Sequence, residues 1–183
     1  MSEKENQANQ APAESPVLAR VKSKFGGSAA LIHTHSQKGD DTIVVRPGEL
    51  KAVMEFLKSD TDLNFDMLMD LTVVDYLNDM KLLPYMKEQG ARFELVLHLY
   101  STEKNHRLRV KAPIKEETPQ VDSVAGLWPS ADWFEREAWD LYGIKFKGHP
   151  NLKRILLYEG FQGHPLRKDY SKTKRQPLIG PVN

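Results

Sequence analysis

The sequence predicts an α+β fold, in which helices pack on a mainly antiparallel sheet, followed by an extended basic C-terminal arm. Several segments alternate apolar and polar residues, which is typical of strands. Others repeat apolar residues at helical spacing, and residues 158–183 combine glycine, proline and basic residues with few apolar ones. A chain of 183 residues with 40% hydrophobic content is large enough for one domain with its own core.

Three regions follow from these patterns. Residues 1–16 are rich in Gln, Asn, Glu, Ala and Pro and are predicted to be disordered. Residues 17–157 carry the periodic segments and are predicted to form the α+β domain. Residues 158–183 have too few apolar residues for a core, so we expect either a disordered tail or an arm ordered along another protein. Repetition of Gly-His-Pro at 148 and 163 favours the arm.

The N-terminal part of the domain begins with a predicted short helix over 17–25, ended by Gly26-Gly27. Residues 29–36 and 42–46 are predicted to form a hairpin across Lys38-Gly39-Asp40. After Pro47 the apolar residues follow helical spacing, which predicts a helix with one side on the sheet; these residues are Leu50, Val53, Met54 and Leu57.

Residues 65–76 alternate strictly and are predicted to form a strand with Met67, Met69, Leu71 and Val73 on one face. Pro84 argues against a continuous helix over 77–90, which is therefore predicted to be a loop. Residues 92–100 and 106–112 alternate cleanly and should pair across a turn. Residues 121–127 are predicted to form a short helix.

The central helix is predicted over 132–142. Asp132 and Glu135 have the spacing of a capping box, and Gly143 is a typical stop. One apolar stripe, Phe134, Ala138 and Leu141, should face the sheet. A second aromatic side contains Trp133, Trp139 and Tyr142; it either belongs to a deeply buried helix or is a docking face.

Charged residues also recur along this helix. Asp132, Arg136 and Asp140 are four residues apart, so Arg136 is predicted to pair with a carboxylate one turn away, beside Glu137. On a free surface such pairs stabilise little; under a partner they become a desolvated network. Past Gly143 the chain should be extended through Phe146, turn at Gly148-His149-Pro150 and continue through Leu152, Ile155 and Leu156.

These residues carry a resemblance to a known family. The run Glu135-Arg136-Glu137, Asp140, Tyr142-Gly143-Ile144, Phe146, Gly148-His149-Pro150, Leu152 and Arg154-Ile155-Leu156 resembles the signature of the C subunit of the proton-pumping NADH-quinone oxidoreductase, respiratory complex I. It follows the pattern of that family without a visible departure. Gly163-His164-Pro165-Leu166-Arg167-Lys168-Asp169-Tyr170 is similar to the tail of the family, and Asp75-Tyr76 also matches.

The resemblance implies a non-redox scaffold in the peripheral arm of complex I, which passes electrons from NADH through FMN and iron-sulfur clusters to quinone and pumps protons. It implies no cofactor on this chain. The implied partners are the D subunit, which is hydrogenase-like and helps form the quinone site, and other peripheral-arm subunits. The implied place is the cytoplasmic side of the bacterial inner membrane, with contact to the membrane only through the complex.

The resemblance also supplies a set of interface candidates on the signature and its tail. These residues are Trp133, Glu135, Arg136, Glu137, Asp140, Tyr142, Gly143, Phe146, Gly148, His149, Pro150, Arg154, Gly163, His164, Pro165, Arg167, Asp169 and Tyr170.

Composition excludes some functions. The chain has no cysteine, which excludes disulfides and cysteine-ligated iron-sulfur clusters. No apolar run is long enough to cross a bilayer, and the first residues lack a targeting pattern, so we expect the chain to stay in the compartment that makes it. Net charge is +1, but a surplus of seven positive charges from Gly143 onward leaves an acidic body.

Other functions remain open from the residues alone. Glu135 or Glu137 could act with His149 and His164 as acid and base, although no substrate pocket is indicated. His33 and His35 share a strand face, but a metal site would need further ligands. The basic arm could contact phosphates, yet it lacks the context of a nucleic-acid module. The motif also fits the equivalent subunit of a membrane-bound hydrogenase or another quinone-reducing complex, and a free-standing binding protein or hydrolase is the distant alternative.

Overall fold

The computed structural model describes residues 15–37, 39–79, 83–174 and 176 and shows the predicted α+β fold. Its elements are α1 (Pro16–Phe25), β1 (Leu31–Gln37), β2 (Asp40–Val45), α2 (Leu50–Ser59, after a 3₁₀ turn at Pro47–Glu49), β3 (Met67–Asp75), α3 (Pro84–Gln89), β4 (Phe93–Ser101), β5 (His106–Ile114), β6 (Gln120–Asp122), α4 (Ala131–Tyr142) and β7 (Lys145–Lys147).

Five strands form a mixed sheet in the order β1-β2-β5-β4-β3. The pairs β1–β2, β4–β5 and β3–β4 are antiparallel, while β2–β5 is parallel. The prediction of a mainly antiparallel sheet is therefore confirmed. Strands β3 and β1 lie at the two edges, and α4 packs against β3.

One face of the sheet carries the main core, to which α1, α2 and α4 contribute. The inward residues of β4 alternate as the sequence predicts, with Leu95, Leu97 and Leu99 fully buried. The four apolar residues predicted to lie on one side of α2 are also buried. Helical and strand periodicity in the sequence thus arise from burial on this face.

The opposite face is partly covered by α3, which corrects the prediction of a loop over 77–90. Pro84 lies at the first helical position, where its missing N–H breaks no bond, and Gly90 ends the helix with φ of 59°. Tyr85 and Met86 pack with Val44 in a small second cluster. Burial of these side chains stabilises a helix too short to form alone.

The helix predicted over 121–127 is also wrong. Residues Gln120–Asp122 form β6, which pairs in parallel with β7, and turns follow before α4. Val121 is buried in the main core. Pairing with a strand distant in sequence overrides the local helical pattern.

Strict alternation along β3 breaks at Met69. Leu68 pairs with Leu99 and Asp70 with His98, so Met69 is an extra residue in the strand. Such a bulge shifts the phase of alternation. Leu68 is therefore buried, whereas Met67 and Met69 are exposed, which contradicts their predicted place on the face of Leu71 and Val73.

Beyond β7 the described chain up to Lys174, together with Gln176, has no helix or strand. The path through Leu152, Ile155 and Leu156 is consequently irregular. The disordered tail predicted over 1–16 lies outside the described residues up to position 14, and Pro16 already belongs to α1. Within the predicted arm, position 175 and residues 177–183 lie outside the described part.

Candidate partner-binding site

Helix α4 holds most of the signature, but it does not begin with the predicted capping box. The helix starts after Ser130, and no side chain caps its first turn. Glu135 instead accepts hydrogen bonds from Ser123 Oγ at 2.6 Å and from the backbone N–H of Val124 at 2.7 Å. Its fully buried carboxylate ties α4 to the turn that follows β6.

Burial sets the protonation of Glu135. Desolvation raises its pKa above the ordinary value, although the hydrogen bonds from Ser123 and Val124 oppose that rise. The carboxyl group is thus a structural acceptor in a poorly solvated place.

His149 fixes the predicted Gly-His-Pro corner against the start of α4. Its Nδ1 accepts the backbone N–H of Asn151 at 3.0 Å, and its Nε2 lies 3.1 Å from the carbonyl oxygen of Asp132. Both ring nitrogens of His149 therefore have a backbone partner. The corner is thus held by side-chain contacts as well as by Pro150 and by Gly148, whose φ is 78°.

The suggested acid–base set is only partly assembled. His149 Nε2 lies 4.0 Å from Glu135 Oε2, and both side chains are fully buried. Glu137 is exposed, and His164 binds at the other end of α4. The buried pair offers no solvent-accessible place for a substrate.

Asp140 organises the irregular chain that follows β7. Its Oδ2 accepts three consecutive backbone N–H groups, those of Ile155 at 3.1 Å, Leu156 at 2.9 Å and Leu157 at 2.9 Å. Its Oδ1 lies 2.5 Å from Arg154 Nη1. Buried backbone N–H groups need an acceptor even where no strand pairs with them. The Asp140 carboxylate supplies that acceptor for this segment.

The electrostatics agree with this role. Burial alone would raise the pKa of Asp140, but the N–H of Leu157 and the guanidinium of Arg154 outweigh it and hold the pKa below its ordinary value. Asp140 is accordingly a buried, ionised acceptor.

Arg136 does not form the predicted pairs with Asp132 and Asp140. Its Nε and Nη2 donate to the carbonyl oxygens of Lys153 at 3.1 Å and Arg154 at 3.0 Å. The spacing of four residues predicted ion pairs along the helix. The carbonyl groups of the irregular segment have no strand partner, however, and Arg136 supplies the donors that they need. Arg136 and Asp140 of α4 therefore bind the segment after β7 rather than each other.

Residues 163–170, which we term the strap, close over the C-terminal end of α4. His164 Nδ1 lies 2.9 Å from the carbonyl oxygen of Asp140, and Arg167 Nε donates to that of Tyr142 at 2.6 Å. These contacts satisfy carbonyl groups that a helix end leaves free. Burial lowers the pKa of His164, which favours the neutral ring.

Gly143 allows the strap to approach this closely. Its φ is 77°, and an added Cβ would lie 2.6 Å from His164 Nε2 and 2.9 Å from Arg167 Nη2. Only glycine meets both requirements. Gly163 has a similar role within the strap, where a Cβ would lie 2.9 Å from the ring of Tyr170.

The far end of the strap binds Arg92, a residue that the sequence indicated only as the start of a strand. The buried guanidinium pairs with Asp75 at 2.7 Å, Asp169 at 2.8 Å and Glu116 at 2.6 Å. Asp75 also accepts the backbone N–H of Lys168 at 2.9 Å. The sequence signals near this cluster were the match of Asp75-Tyr76 to the family and the match of the tail that contains Asp169.

The remaining interface candidates differ in how far their side chains are exposed to solvent. Phe146 is buried in β7, and Tyr142 packs partly against the core. Trp133 is 68% exposed, which makes it the most exposed large apolar side chain of the described residues. Large rings that remain in solvent are typical of interface anchors.

The two histidines of β1 do share a face, with ring centroids 5.4 Å apart. Burial first, then the neighbouring His33, lowers the pKa of His35. Among the described residues no group of three His, Cys, Asp or Glu side chains is arranged to hold a metal ion. In that part of the chain, His33 and His35 therefore lack the additional side chains that a metal site would need.

Comparison with known proteins shows what these residues belong to. The family model described as "Respiratory-chain NADH dehydrogenase, 30 Kd subunit" matches residues 43–176, most of the chain. The chain belongs to this family. The match spans α4, the strap and all of the sheet except β1 and the start of β2.

Curated relatives agree with this assignment. The NADH-quinone oxidoreductase C subunit of Caulobacter vibrioides is 46% identical over 86% of this chain and 71% of its own length. The C subunit of Citrifermentans bemidjiense is 42% identical over 90% of this chain and 89% of its own. The chain is therefore similar to complex I subunits along most of its length.

Solved structures show the same fold. Nqo5, as its trypsin-resistant fragment 1–134, matches with a TM-score of 0.61 and 30% identity over 74% of this chain and 96% of the fragment. A chain of an archaeal membrane-bound sulfane sulfur reductase matches with a TM-score of 0.67 and 19% identity over 86% and 85%, which shows the fold alone. No helix among the described residues is long and apolar enough to cross a membrane.

Proposed function

We propose that this chain is a non-redox structural subunit in the peripheral arm of the proton-translocating NADH:quinone oxidoreductase. In that complex electrons would pass from NADH through FMN and iron-sulfur clusters to quinone, coupled to proton translocation. The names of the relatives, which are subunits of NADH-quinone oxidoreductase, support this proposal.

One observation carries the structural role. The charged signature residues of α4 are used inside the chain, where Glu135, Arg136 and Asp140 bind backbone groups of other segments. Apolar side chains of the same region, Trp133 and Leu156, face solvent. The charged residues thus hold the segments of this region together. The exposed apolar residues are the ones available to contact a partner.

The composition supports placing the cofactors elsewhere. A chain without cysteine cannot ligate an iron-sulfur cluster through thiolates. We therefore assign the iron-sulfur clusters to other subunits. We also propose, from the resemblance to the family, that FMN and quinone bind other subunits and that this chain alone has no catalytic site.

For the partner we propose the hydrogenase-like D subunit, together with other peripheral-arm subunits. The signature residues and their tail from Trp133 to Tyr170 would form or support the contact, and residues 158–183 would be the arm that docks there. Within that arm the strap is bound to its own domain, and Gln176 hydrogen-bonds back to Gln162 and Tyr170. We propose that the chain after Tyr170 is the part that lies on the partner. We place the assembly on the cytoplasmic side of the inner membrane.

A mild-detergent purification of the tagged protein from membranes tests this function. Co-purification with flavin and iron-sulfur subunits, together with inhibitor-sensitive NADH-to-quinone activity, is the expected result. Recovery with hydrogenase subunits and no NADH activity would assign the chain to a related complex. Recovery alone from the soluble fraction would refute the proposal.

The arm has its own test. Truncation after Tyr170 keeps the strap and removes only the chain from Ser171 onward. We expect the truncated protein to fold normally and to be recovered with fewer complex I subunits. Full recovery would remove the arm from the interface while leaving the rest of the proposal intact.

A further inference from the structure

Strand β1 forms one edge of the five-stranded sheet and pairs on only one side. It runs over Leu31–Gln37, and within the described residues its one neighbouring strand is β2. A strand carries N–H and C=O groups along both of its sides. The side of β1 that faces away from β2 is therefore a row of backbone groups open to another strand.

The hairpin register shows which residues face that free side. Gln37 pairs with Asp40 across a two-residue turn, and the pair that flanks such a turn is hydrogen-bonded. Along an antiparallel ladder, every second pair exchanges both of its hydrogen bonds. His35 follows Gln37 in this pattern, so its backbone groups bind β2. The backbone groups of Thr34 and Ser36 point to the free edge.

The sequence of β1 does not protect this edge. Natural sheets protect exposed edges with charged side chains, proline, bulges or a covering element. Residues 31–37 contain no charged residue and no proline, and the one irregularity of register lies between Leu31 and His33, before Thr34. Ser36 and Gln37 are exposed. The regular part of β1 can therefore pair with a further strand.

The opposite edge of the sheet has the protection that β1 lacks. Strand β3 is interrupted by the bulge at Met69, next to the charged Asp70. Helix α4 packs against β3, and Ser130 Oγ donates to the carbonyl oxygen of Leu68 at 3.1 Å. Of the two edges, β1 is thus the one that is suited to strand pairing.

The side chains of β1 define the strand that fits beside it. Thr34 and Ser36 lie on one face of the edge, and His33 and His35 lie on the other. An opposing Lys, Arg, Asp or Glu would find no counter-charge on β1, whereas Thr, Ser and β-branched residues pair well across strands. The matching partner is an extended, uncharged segment without proline.

The termini of this chain and a second copy of it fit this edge poorly. Residues 1–14 contain no Val, Ile, Thr, Tyr, Phe or Trp, the residues that favour strands, and residues 177–183 contain two prolines and one glycine. Pairing of two copies along a seven-residue edge would bury only a fraction of the roughly 1,200 Å² that stable interfaces need. These observations favour a strand from a subunit that also contacts this chain elsewhere.

We propose that the free edge of β1 accepts an extended, uncharged strand of the D subunit as the sixth strand of the sheet. This inference rests on the proposed function, which takes that subunit as the partner, and adds a contact outside the signature. The outer strands of a five-stranded sheet lie about 19 Å apart, a distance that one subunit spans. An added strand lies in the plane of the sheet, so the ring of His33, which lies on one face beside Tyr85, stays exposed.

Backbone hydrogen exchange, resolved to single residues by mass spectrometry, tests the pairing. The wild-type chain is compared alone and within the purified complex. The N–H groups of Thr34 and Ser36 should exchange at least about tenfold more slowly in the complex, because they become hydrogen-bonded there. A photoreactive amino acid in place of Gln37 should cross-link the chain to the D subunit.

Two proline variants separate the two sides of β1. Ser36→Pro removes an N–H of the free edge, whereas His35→Pro removes an N–H that binds β2. The isolated Ser36→Pro chain should unfold near the wild-type temperature, but the D subunit recovered with the tagged chain should fall severalfold. His35→Pro should unfold at a lower temperature even alone. Gln37→Ala changes only an exposed side chain and should recover as much D subunit as the wild type.

The outcomes distinguish the sources of the strand. Unchanged exchange at Thr34 and Ser36 in the complex, or equal losses of the D subunit in Ser36→Pro and Gln37→Ala, would overturn the inference and leave the proposed function standing. Cross-linking to another subunit would overturn it too. Protection in the isolated chain that rises with its concentration, or that is lost on removal of residues 1–14, would assign the edge to a second copy or to the N-terminus. Failure of the wild-type chain to recover any complex I subunit would instead refute the proposed function.

Discussion

In the five-stranded sheet the chain is held by apolar side chains, whereas from Gly148 to Tyr170 it is held mainly by charged side chains that bind the backbone. Leu97 in β4 is fully buried within a continuous apolar core. Asp140 binds three consecutive N–H groups of a segment that has no helix or strand. Regular pairing needs only a buried face, but an irregular segment needs a specific partner for each backbone group.

The comparison is tested most strongly at Asp140. Asp140→Ala should lower the free energy of unfolding by about 3–5 kcal/mol, because it leaves Arg154 and three backbone N–H groups without their acceptor. Urea denaturation measures the loss. Hydrogen exchange should quicken in residues 154–170 and stay slow in β4; equal acceleration in both would show that the two regions are one cooperative unit.

A core substitution should have the opposite pattern. Leu97→Ala removes buried apolar volume and should cost about 3 kcal/mol. We expect the whole sheet to exchange faster in the same hydrogen-exchange experiment, with no special effect on the strap. An effect confined to residues 154–170 would contradict the division between the regions.

Alanine substitutions at Gly143 and Gly90 distinguish the cost of a strained backbone from the cost of a steric clash. Both have positive φ, but an added Cβ meets His164 and Arg167 only at Gly143; at Gly90 nothing lies within 4 Å. Gly143→Ala should therefore cost about 2–3 kcal/mol and Gly90→Ala about 1 kcal/mol. Thermal unfolding of the two variants gives the comparison, and equal losses would mean that the strap shifts freely.

Stability should depend on pH in two directions. The folded state lowers the pKa of Asp140 below its ordinary 3.8, so its stabilisation is present above that pH and is lost as pH falls through the folded-state pKa. The raised pKa of Glu135 has the opposite sign, so its contribution to stability should increase as pH falls from neutral through the folded-state pKa. The free energy of unfolding, measured in urea at a series of pH values, should depend less on pH in the acid range in Asp140→Asn. In Glu135→Gln it should depend less on pH towards neutrality.

The smallest effect on stability is expected at Trp133. Trp133→Ala removes an exposed ring and should change the free energy of unfolding by less than about 0.5 kcal/mol. Recovery of complex I subunits with the tagged variant should nevertheless fall clearly. Lys51→Ala on the exposed side of α2 is the control, and equal recovery of the two variants would place Trp133 on a free surface.

Sequence patterns predicted most of the sheet and the helices that pack on it, because burial imposes a period. Leu50 and Val53 of α2 and the alternating leucines of β4 follow directly from that constraint. The helix expected over 121–127 failed where pairing with β7 decided the structure. A single extra residue at Met69 also reversed which side chains of β3 are exposed.

The sequence did not predict the contacts that the candidate site residues make within the chain. Spacing suggested that Arg136 pairs within α4, yet its acceptors are carbonyl groups 17 and 18 residues away. Arg92 was missed because its partners Asp75, Glu116 and Asp169 lie 17, 24 and 77 residues away in three separate segments. Contacts between an irregular segment and a charged side chain have no period, so a sequence pattern does not indicate them.

Hydroxyl-radical footprinting of the isolated chain and of the assembled complex tests the central claim most directly, since Met and Trp side chains report their own exposure. Trp133 should be oxidised readily in the isolated chain and become protected in the complex. Buried Met54 and Met86 should stay unreactive in both, and exposed His33 should remain reactive. Protection of His33 without protection of Trp133 would contradict the account.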